Sequence, residues 1–227
     1  MREHHPILAR EGWAHVAVAV LLAALATWLA PWWVWLPAWL LLVFVLQFFR
    51  DPVRTPPSGP DLVIAPADGK VVFAGRARDP YLDRDCYRIS VFMDVFSVHS
   101  NRAPVGGAVR EAWYTPGRFI NAALDKSSEL NERNALCIRD SSGRDTVVVQ
   151  VAGLVARRIL CYVEKGDQVS PGQRYGFIRF GSRVDVHVPP ETFRPRVALG
   201  DKVTAGVSVL GSHKTEDDDA ERSSTPG

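Results

Sequence analysis

Only three cysteines, Cys86, Cys137 and Cys161, occur in the 227 residues, and no two are spaced as Cys-x-x-Cys. An odd, dispersed set excludes a disulfide framework and suits reduced thiols in the cytoplasm, packed in a core. No spacing of His, Cys, Asp and Glu matches a metal site, so no metal is expected. An excess of charge of one sign is missing too: 27 Lys and Arg against 25 Asp and Glu leave a net charge of +2. That balance gives a nucleic-acid partner no electrostatic footing. The third absence is local. Residues 12–49 contain no Asp, Glu, Lys or Arg.

What fills that uncharged stretch is Ala, Leu, Val and Trp, the composition of a membrane-embedded segment. A single crossing needs about 20 residues, and this run is nearly twice that. Pro31 and Pro37 flank the cluster Trp32, Trp33 and Trp35. Tryptophan favours the membrane interface and proline ends or kinks helices, which predicts a helical hairpin turning within Ala30 to Pro37. Each arm is short for a full span, so two crossings and a re-entrant wedge both remain open. Arg2 and Arg10 precede the run and Arg50 and Arg54 come after it; under the positive-inside rule both ends, and with them the chain beyond Arg50, lie at the cytoplasmic face of the cell membrane. The length of the run and the lack of a small-residue cleavage site argue against a signal peptide.

Residues 50–60 are rich in Pro and read as a linker. Beyond it strands dominate: Leu62 to Ile64, Lys70 to Ala74, Tyr87 to Met93, Thr146 to Val151 and Arg183 to Val188 are short β-branched or alternating runs bounded by turn residues. One helix is expected over Asn121 to Arg133. The pattern Val163-x-x-Gly166-Asp167-x-Val169-x-x-Gly172 recurs as Val197-x-x-Gly200-Asp201-x-Val203-x-x-Gly206, which predicts two similar β-hairpins of lipoyl-like type. The expected fold is mainly β (α+β): a sandwich of short strands with one or two helices, preceded by the apolar helical hairpin. The domains read as a membrane-associated hairpin over 1–49, the linker, a catalytic domain over 61–211, and a disordered tail over 212–227, whose charged, small residues cannot form a core.

The run from Gly172 to Asp185 contains Phe180-Gly181-Ser182-Arg183-Val184-Asp185. A Gly-Ser pair can process itself. The serine hydroxyl attacks the glycine carbonyl to form an ester, elimination leaves an unsaturated residue, and hydrolysis leaves a pyruvoyl group at a new N-terminus. Glycine leaves its carbonyl unshielded and its backbone free to distort. Alone the dipeptide is a common loop pair, and Gly211-Ser212 is a second copy. Around Ser182, however, the chain resembles phosphatidylserine decarboxylase proenzymes of the short form. Supporting elements are Phe48-Phe49-Arg50-Asp51-Pro52, Ala65-Pro66-Ala67-Asp68-Gly69, Val98-His99-Ser100-Asn101-Arg102 and Asp125-Lys126-Ser127 leading to Asn131-Glu132-Arg133-Asn134. They succeed one another in family order from about Phe48 to Gly206.

The resemblance implies cleavage between Gly181 and Ser182 into a β chain, 1–181, and an α chain, 182–227, that stay together as a heterodimer; a higher oligomer is left open. It implies a pyruvoyl cofactor made from Ser182 that forms a Schiff base with the headgroup amine of phosphatidylserine, releasing carbon dioxide and yielding phosphatidylethanolamine. It also implies a triad in which His99 serves as base and proton donor while Asp68 orients it. Read from the residues alone, His99 is a strand-end histidine able to move protons near neutrality, and Asp68 is an ordinary turn aspartate. His187, two residues beyond Asp185 on one strand face, is the rival base. Arg102, Arg118, Lys126 and Arg133 are candidates for a phosphate or carboxylate. The reading from another class is a non-catalytic membrane-anchored lipoyl-like adaptor, with Lys165 and Lys202 beside the two Gly-Asp turns. A pyruvoyl enzyme for a soluble amino acid leaves the apolar segment unexplained.

Overall fold

Uncharged, leucine-rich sequence makes helix, and here it makes two. In the computed structural model, which describes residues 7–59, 61–118, 122, 130–153, 158–179 and 181–214, α1 spans Trp13–Leu29 and α2 spans Trp32–Phe48. With the 3₁₀ turn Arg10–Gly12, the first forms a 20-residue unit, long and apolar enough to cross a membrane by length and composition; α2 has 17 residues. Ala19 and Ala23, one turn apart, are buried against Leu42. Small side chains there let the helices approach closely. Trp39 Nε1 donates to Thr27 Oγ1 (3.0 Å) across the pair.

The turn is shorter than the sequence indicated. Only Ala30 and Pro31 lie between the helices, and Pro37 stands inside α2. As the sixth residue of α2 it removes one bond, to the carbonyl of Trp33, near a helix end.

The hairpin is tied firmly to the rest of the chain. Ala9 N–H donates to Phe49 O (2.8 Å) and Asp51 N–H to Ile7 O (2.7 Å). Asp51, wholly buried although it falls in the linker, accepts from Ser100 Oγ (2.7 Å) and pairs with Arg102 (2.9 Å) and Arg174 (3.2 Å). Arg174 also pairs with Glu11 (2.9 Å) at the base of α1. One buried network thus joins the helical hairpin to the β domain.

Among the described residues that domain has 14 strands. These are β1 (Leu62–Ile64), β2 (Gly69–Asp79), β3 (Arg84–Phe92), β4 (Ser100–Arg102), β5 (Gly107–Thr115), β6 (Arg133–Arg139), β7 (Asp145–Val151), β8 (Ile159–Cys161), β9 (Gln168–Val169), β10 (Arg174–Ile178), β11 (Arg183–Val188), β12 (Phe193–Pro195), β13 (Lys202–Val203) and β14 (Val209–His213). Eight form one antiparallel sheet in the order β13-β2-β3-β11-β7-β6-β5-β9; two three-stranded sheets, β1-β14-β12 and β4-β10-β8, complete the fold. The main core lies on one face of the large sheet, where Val184, Val186 and Val188 of β11 meet Ile89, Val91, Leu136 and Val148. A second cluster, Ala135, Cys137, Val147, Val149 and Val151, covers the other face.

The sequence repeat is real, and its two copies form the connections of two antiparallel pairs, β8–β10 and β12–β14. Each copy hooks onto the start of a distant long strand. Gly166 N–H donates to Val109 O and Val109 N–H to Asp167 O; in the other copy Gly200 N–H donates to Val71 O and Val71 N–H to Asp201 O, all at 2.8 Å. β9 and β13 pair with the first residues of β5 and β2. The receiving segments match as well: Ala65-Pro66-Ala67-Asp68-Gly69 before β2 corresponds to Ala103-Pro104-Val105-Gly106-Gly107 before β5. Asp68 therefore occupies a place that is glycine in the other half.

The helix expected over Asn121 to Arg133 falls mostly outside the described residues, as do Lys126 and the tail from 215. Arg133 itself opens β6, because its neighbours on the β7 ladder take up its backbone. β14 continues past Gly211 to a buried His213, so the fold extends into the segment assigned to a tail.

Candidate active site

β11 is a central strand. Its register fixes the segment before it on both sides. Arg183 pairs with Phe92 of β3 and with Val151 of β7. One step further, Met93 N–H donates to Ser182 O (2.9 Å), and Gly181 comes beside Gly153. On the outer side, the β4–β10 ladder sets Ile178 N–H against His99 O (3.2 Å), three residues ahead of Gly181.

Gly181 has φ of +64°, the left-handed region that glycine enters without a Cβ clash. Its carbonyl lies against Gly153: a Cβ at 153 would fall 1.7 Å from Gly181 O. Ser182 is fully buried and its Oγ has no hydrogen-bond partner among the described residues. A buried hydroxyl normally finds a partner, so one without any, beside a carbonyl in a left-handed turn, is an exception to ordinary packing. Gly211-Ser212 has none of this character. It lies within β14, with Ser212 paired to Leu62 and the Gly211 backbone pressed on the Phe193 ring.

His99 is wholly buried, its ring 4.2 Å from that of Phe48, the last residue of α2, and 6.4 Å from Phe177. Burial pushes its imidazole from the usual 6.5 down to about 4; a backbone bond to Ser97 and the charge of Asp94 oppose this, while Arg50 adds to it. The neutral ring, able to accept a proton, is therefore the folded form. Because the shift is downward, the stability linked to the neutral ring is complete above the unfolded value of 6.5 and is lost as pH falls towards about 4.

Asp68 Oδ1 accepts from Ala205 N–H (2.7 Å) and Oδ2 pairs with Arg54 (2.9 Å). Its charge acts on His99 through space, in the direction that favours protonation. His99, Asp68 and Ser182 are thus placed in one region without hydrogen bonds joining the three.

His187 lies elsewhere. Side chains alternate along β11, so Arg183, Asp185 and His187 face away from Ser182. His187 Nδ1 is 3.4 Å from Asp79, and Arg183 forms a buried two-pronged pair with Asp185 (2.7 and 3.0 Å). Of the phosphate candidates, Arg102 is engaged by Asp51, Arg118 bridges to Asn131, and Arg133 donates to Asn131 O (3.4 Å). Cys86 and Cys137 are buried, with thiols pushed up by burial to about 11 and about 12, consistent with inert core residues.

Three features had been given no role in the sequence reading, although Phe48, Asn101 and Asn134 fall within the elements that carry the family resemblance. Gly153 ends β7 as an ordinary glycine would. Phe48 reads as one more apolar helix residue. A chain of buried amides runs from Asn134 Nδ2 to Gln150 Oε1 (3.2 Å) and from Gln150 Nε2 to Asn101 Oδ1 (2.8 Å), linking β6, β7 and β4 behind the site.

The segment held from both sides thus places a buried serine hydroxyl directly after a left-handed glycine. Residues 41–211 match the family model for phosphatidylserine decarboxylase. Among curated relatives, a protein of Aromatoleum aromaticum is 58% identical over 206 residues, covering 91% of this chain and 95% of the relative. One of Ralstonia nicotianae is 56% identical over 209 residues (91% and 95%), and one of Cupriavidus taiwanensis 55% over 211 (92% and 97%). All three are named phosphatidylserine decarboxylase proenzyme. The chain belongs to the phosphatidylserine decarboxylase family. Membership makes it an enzyme, a decarboxylase of phosphatidylserine, and sets aside the adaptor reading.

Proposed function

We propose that the chain cuts itself between Gly181 and Ser182 and uses a pyruvoyl group at position 182 to convert phosphatidylserine to phosphatidylethanolamine at the cytoplasmic face of the cell membrane. The buried, unpartnered Ser182 hydroxyl behind the left-handed Gly181 carries this reading. The site also fits the group: residue 182 is enclosed, its Oγ has no hydrogen-bond partner among the described residues, and its own carbonyl is anchored by Met93 N–H.

In the first step His99, neutral in its apolar setting, takes the hydroxyl proton as Oγ attacks the Gly181 carbonyl carbon. The peptide C–N bond breaks and an ester forms. Loss of the Ser182 α-proton expels the Gly181 carboxylate; one water then enters and one ammonia leaves. Because β11 is hydrogen-bonded to β3 and β7 on its two sides, the new chain end remains in place and the two chains stay together.

The pyruvoyl group supplies a ketone for the substrate amine and an electron sink for the departing carbon dioxide. His99 then returns a proton to the substrate carbon, and Asp68 and Arg54 hold the neighbouring loop. The apolar hairpin would keep the acyl chains in the bilayer while the headgroup reaches Ser182. Carboxyl-labelled phosphatidylserine should release labelled carbon dioxide with the purified protein, and prior treatment with a carbonyl-trapping amine and reductant should abolish release. Undiminished release after trapping would exclude a pyruvoyl group.

His99→Gln should slow self-cleavage by about 10²–10⁴-fold, the usual span for a positioned acid–base group. In the unaltered chain the cleavage rate should stay level from about pH 8 to about pH 5 and fall only near pH 4, where His99 takes up a proton. A decline centred on the ordinary histidine range would remove His99 as the base.

A further inference from the structure

Two apolar cavities line the helical hairpin and meet. One, of about 330 Å³, lies along the seam between α1 and α2 and is lined by Ala14, His15, Val18, Leu22, Leu41 and Val45 among others. The second, of about 130 Å³, is lined by His15, Phe44, Val45, Phe48, Phe49 and Arg179. His15 and Val45 belong to both, so the seam is continuous from the exposed flank of the helices to Phe48, whose ring lies on His99.

Among the described residues no Asp or Glu lines either cavity. The charged residue at the inner end is Arg179, three residues before Ser182; it forms no hydrogen bond or ion pair with the described residues. A half-buried guanidinium without a carboxylate is matched to a phosphodiester, which it can grip with two parallel hydrogen bonds. From Ala14 to Leu22 the seam runs about 12 Å along α1, comparable with the ~15 Å depth of one hydrocarbon leaflet.

We propose that this seam is the acyl subsite for the phospholipid substrate: one fatty-acyl chain of phosphatidylserine lies between α1 and α2, and its phosphate meets Arg179. The hairpin is then part of the substrate site as well as an anchor. Apolar walls and one cation give the subsite its selectivity, because a soluble serine ester would leave the seam empty and lose that binding. The inference rests on phosphatidylserine being the substrate, and the test separates the two. If the unaltered enzyme produced phosphatidylethanolamine from neither lipid below, the substrate assignment itself would fall.

The experiment compares kcat/KM for dioleoyl- and dihexanoyl-phosphatidylserine in detergent micelles, with self-cleavage of each variant verified first. Val18→Trp and Leu41→Trp fill the seam from opposite helices at positions 56% and 51% exposed, where added bulk does not disturb packing. Each should lower the ratio of long-chain to short-chain kcat/KM by at least tenfold; should one fail to process, the other carries the test. Leu21→Trp, on α1 but outside the seam, should leave the ratio unchanged. Arg179→Gln should raise KM for both lipids about tenfold, with partial recovery in Arg179→Lys. A ratio unchanged in the seam variants, or lowered equally by Leu21→Trp, would show that bulk lipid alone contacts the seam and would overturn the proposal. An unaltered KM in Arg179→Gln would remove the phosphate contact.

Discussion

Ser182→Ala is expected to leave a single uncleaved chain that releases no carbon dioxide from phosphatidylserine. The methyl group fits where Oγ sits, since Oγ makes no hydrogen bond with any described residue and its removal orphans no partner. Stability should therefore be unchanged or slightly higher, and the loss falls entirely on chemistry. Without Oγ there is no nucleophile for the Gly181 carbonyl and no leaving oxygen for elimination, so both cleavage and electron sink disappear together. Denaturing gel electrophoresis with a thermal melt checks both halves. A cleaved Ser182→Ala chain would place the break elsewhere; Gly211-Ser212, locked in β14, is not expected to substitute.

Gly153→Ala should slow cleavage severely, although residue 153 has no reactive group. The β11–β7 register brings the Gly181 carbonyl to within 1.7 Å of where the alanine Cβ would be. Backbone cannot yield as a flexible side chain can, so the scissile carbonyl must move. A displacement near 1 Å in a reacting pair costs about 10²-fold in rate, which sets the least slowing expected. Ser182 Oγ remains intact, so slow cleavage at the correct peptide bond should persist on long incubation. That separates this positioning role from the nucleophile's. Wild-type cleavage in Gly153→Ala would mean that Gly181 has freedom that the sheet register denies it.

Gly153 illustrates why part of the site was not legible in the sequence. A glycine at a strand end carries no local sign of which distant carbonyl will pass it; that depends on β7 pairing with a strand more than 30 residues later. By contrast, β11 could be read directly, because Val184, Val186 and Val188 alternate with polar residues and Arg183 to Val188 is the strand observed. The apolar hairpin was equally plain from composition, and only its turn moved, since one proline near a helix start removes too little to end it. Asp51 was hidden by its surroundings: proline-rich sequence reads as linker, yet its carboxylate is buried among Ser100, Arg102 and Arg174, which arrive from β4 and β10. The repeat gave its two antiparallel pairs, β8–β10 and β12–β14, but not the further pairing of the two-residue strands β9 and β13 with β5 and β2, which local spacing does not encode. His99 and Asp68 came from the family resemblance; chemistry of residue type alone left them as a strand-end histidine and a turn aspartate.

The most direct test of self-processing is the intact mass of the purified protein under denaturing conditions, with and without a carbonyl-trapping amine and reductant. Two chains that divide after Gly181, the smaller lacking a free amino terminus and gaining the mass of the trapped amine, are the predicted result. A single unmodified chain from an actively decarboxylating preparation would contradict it.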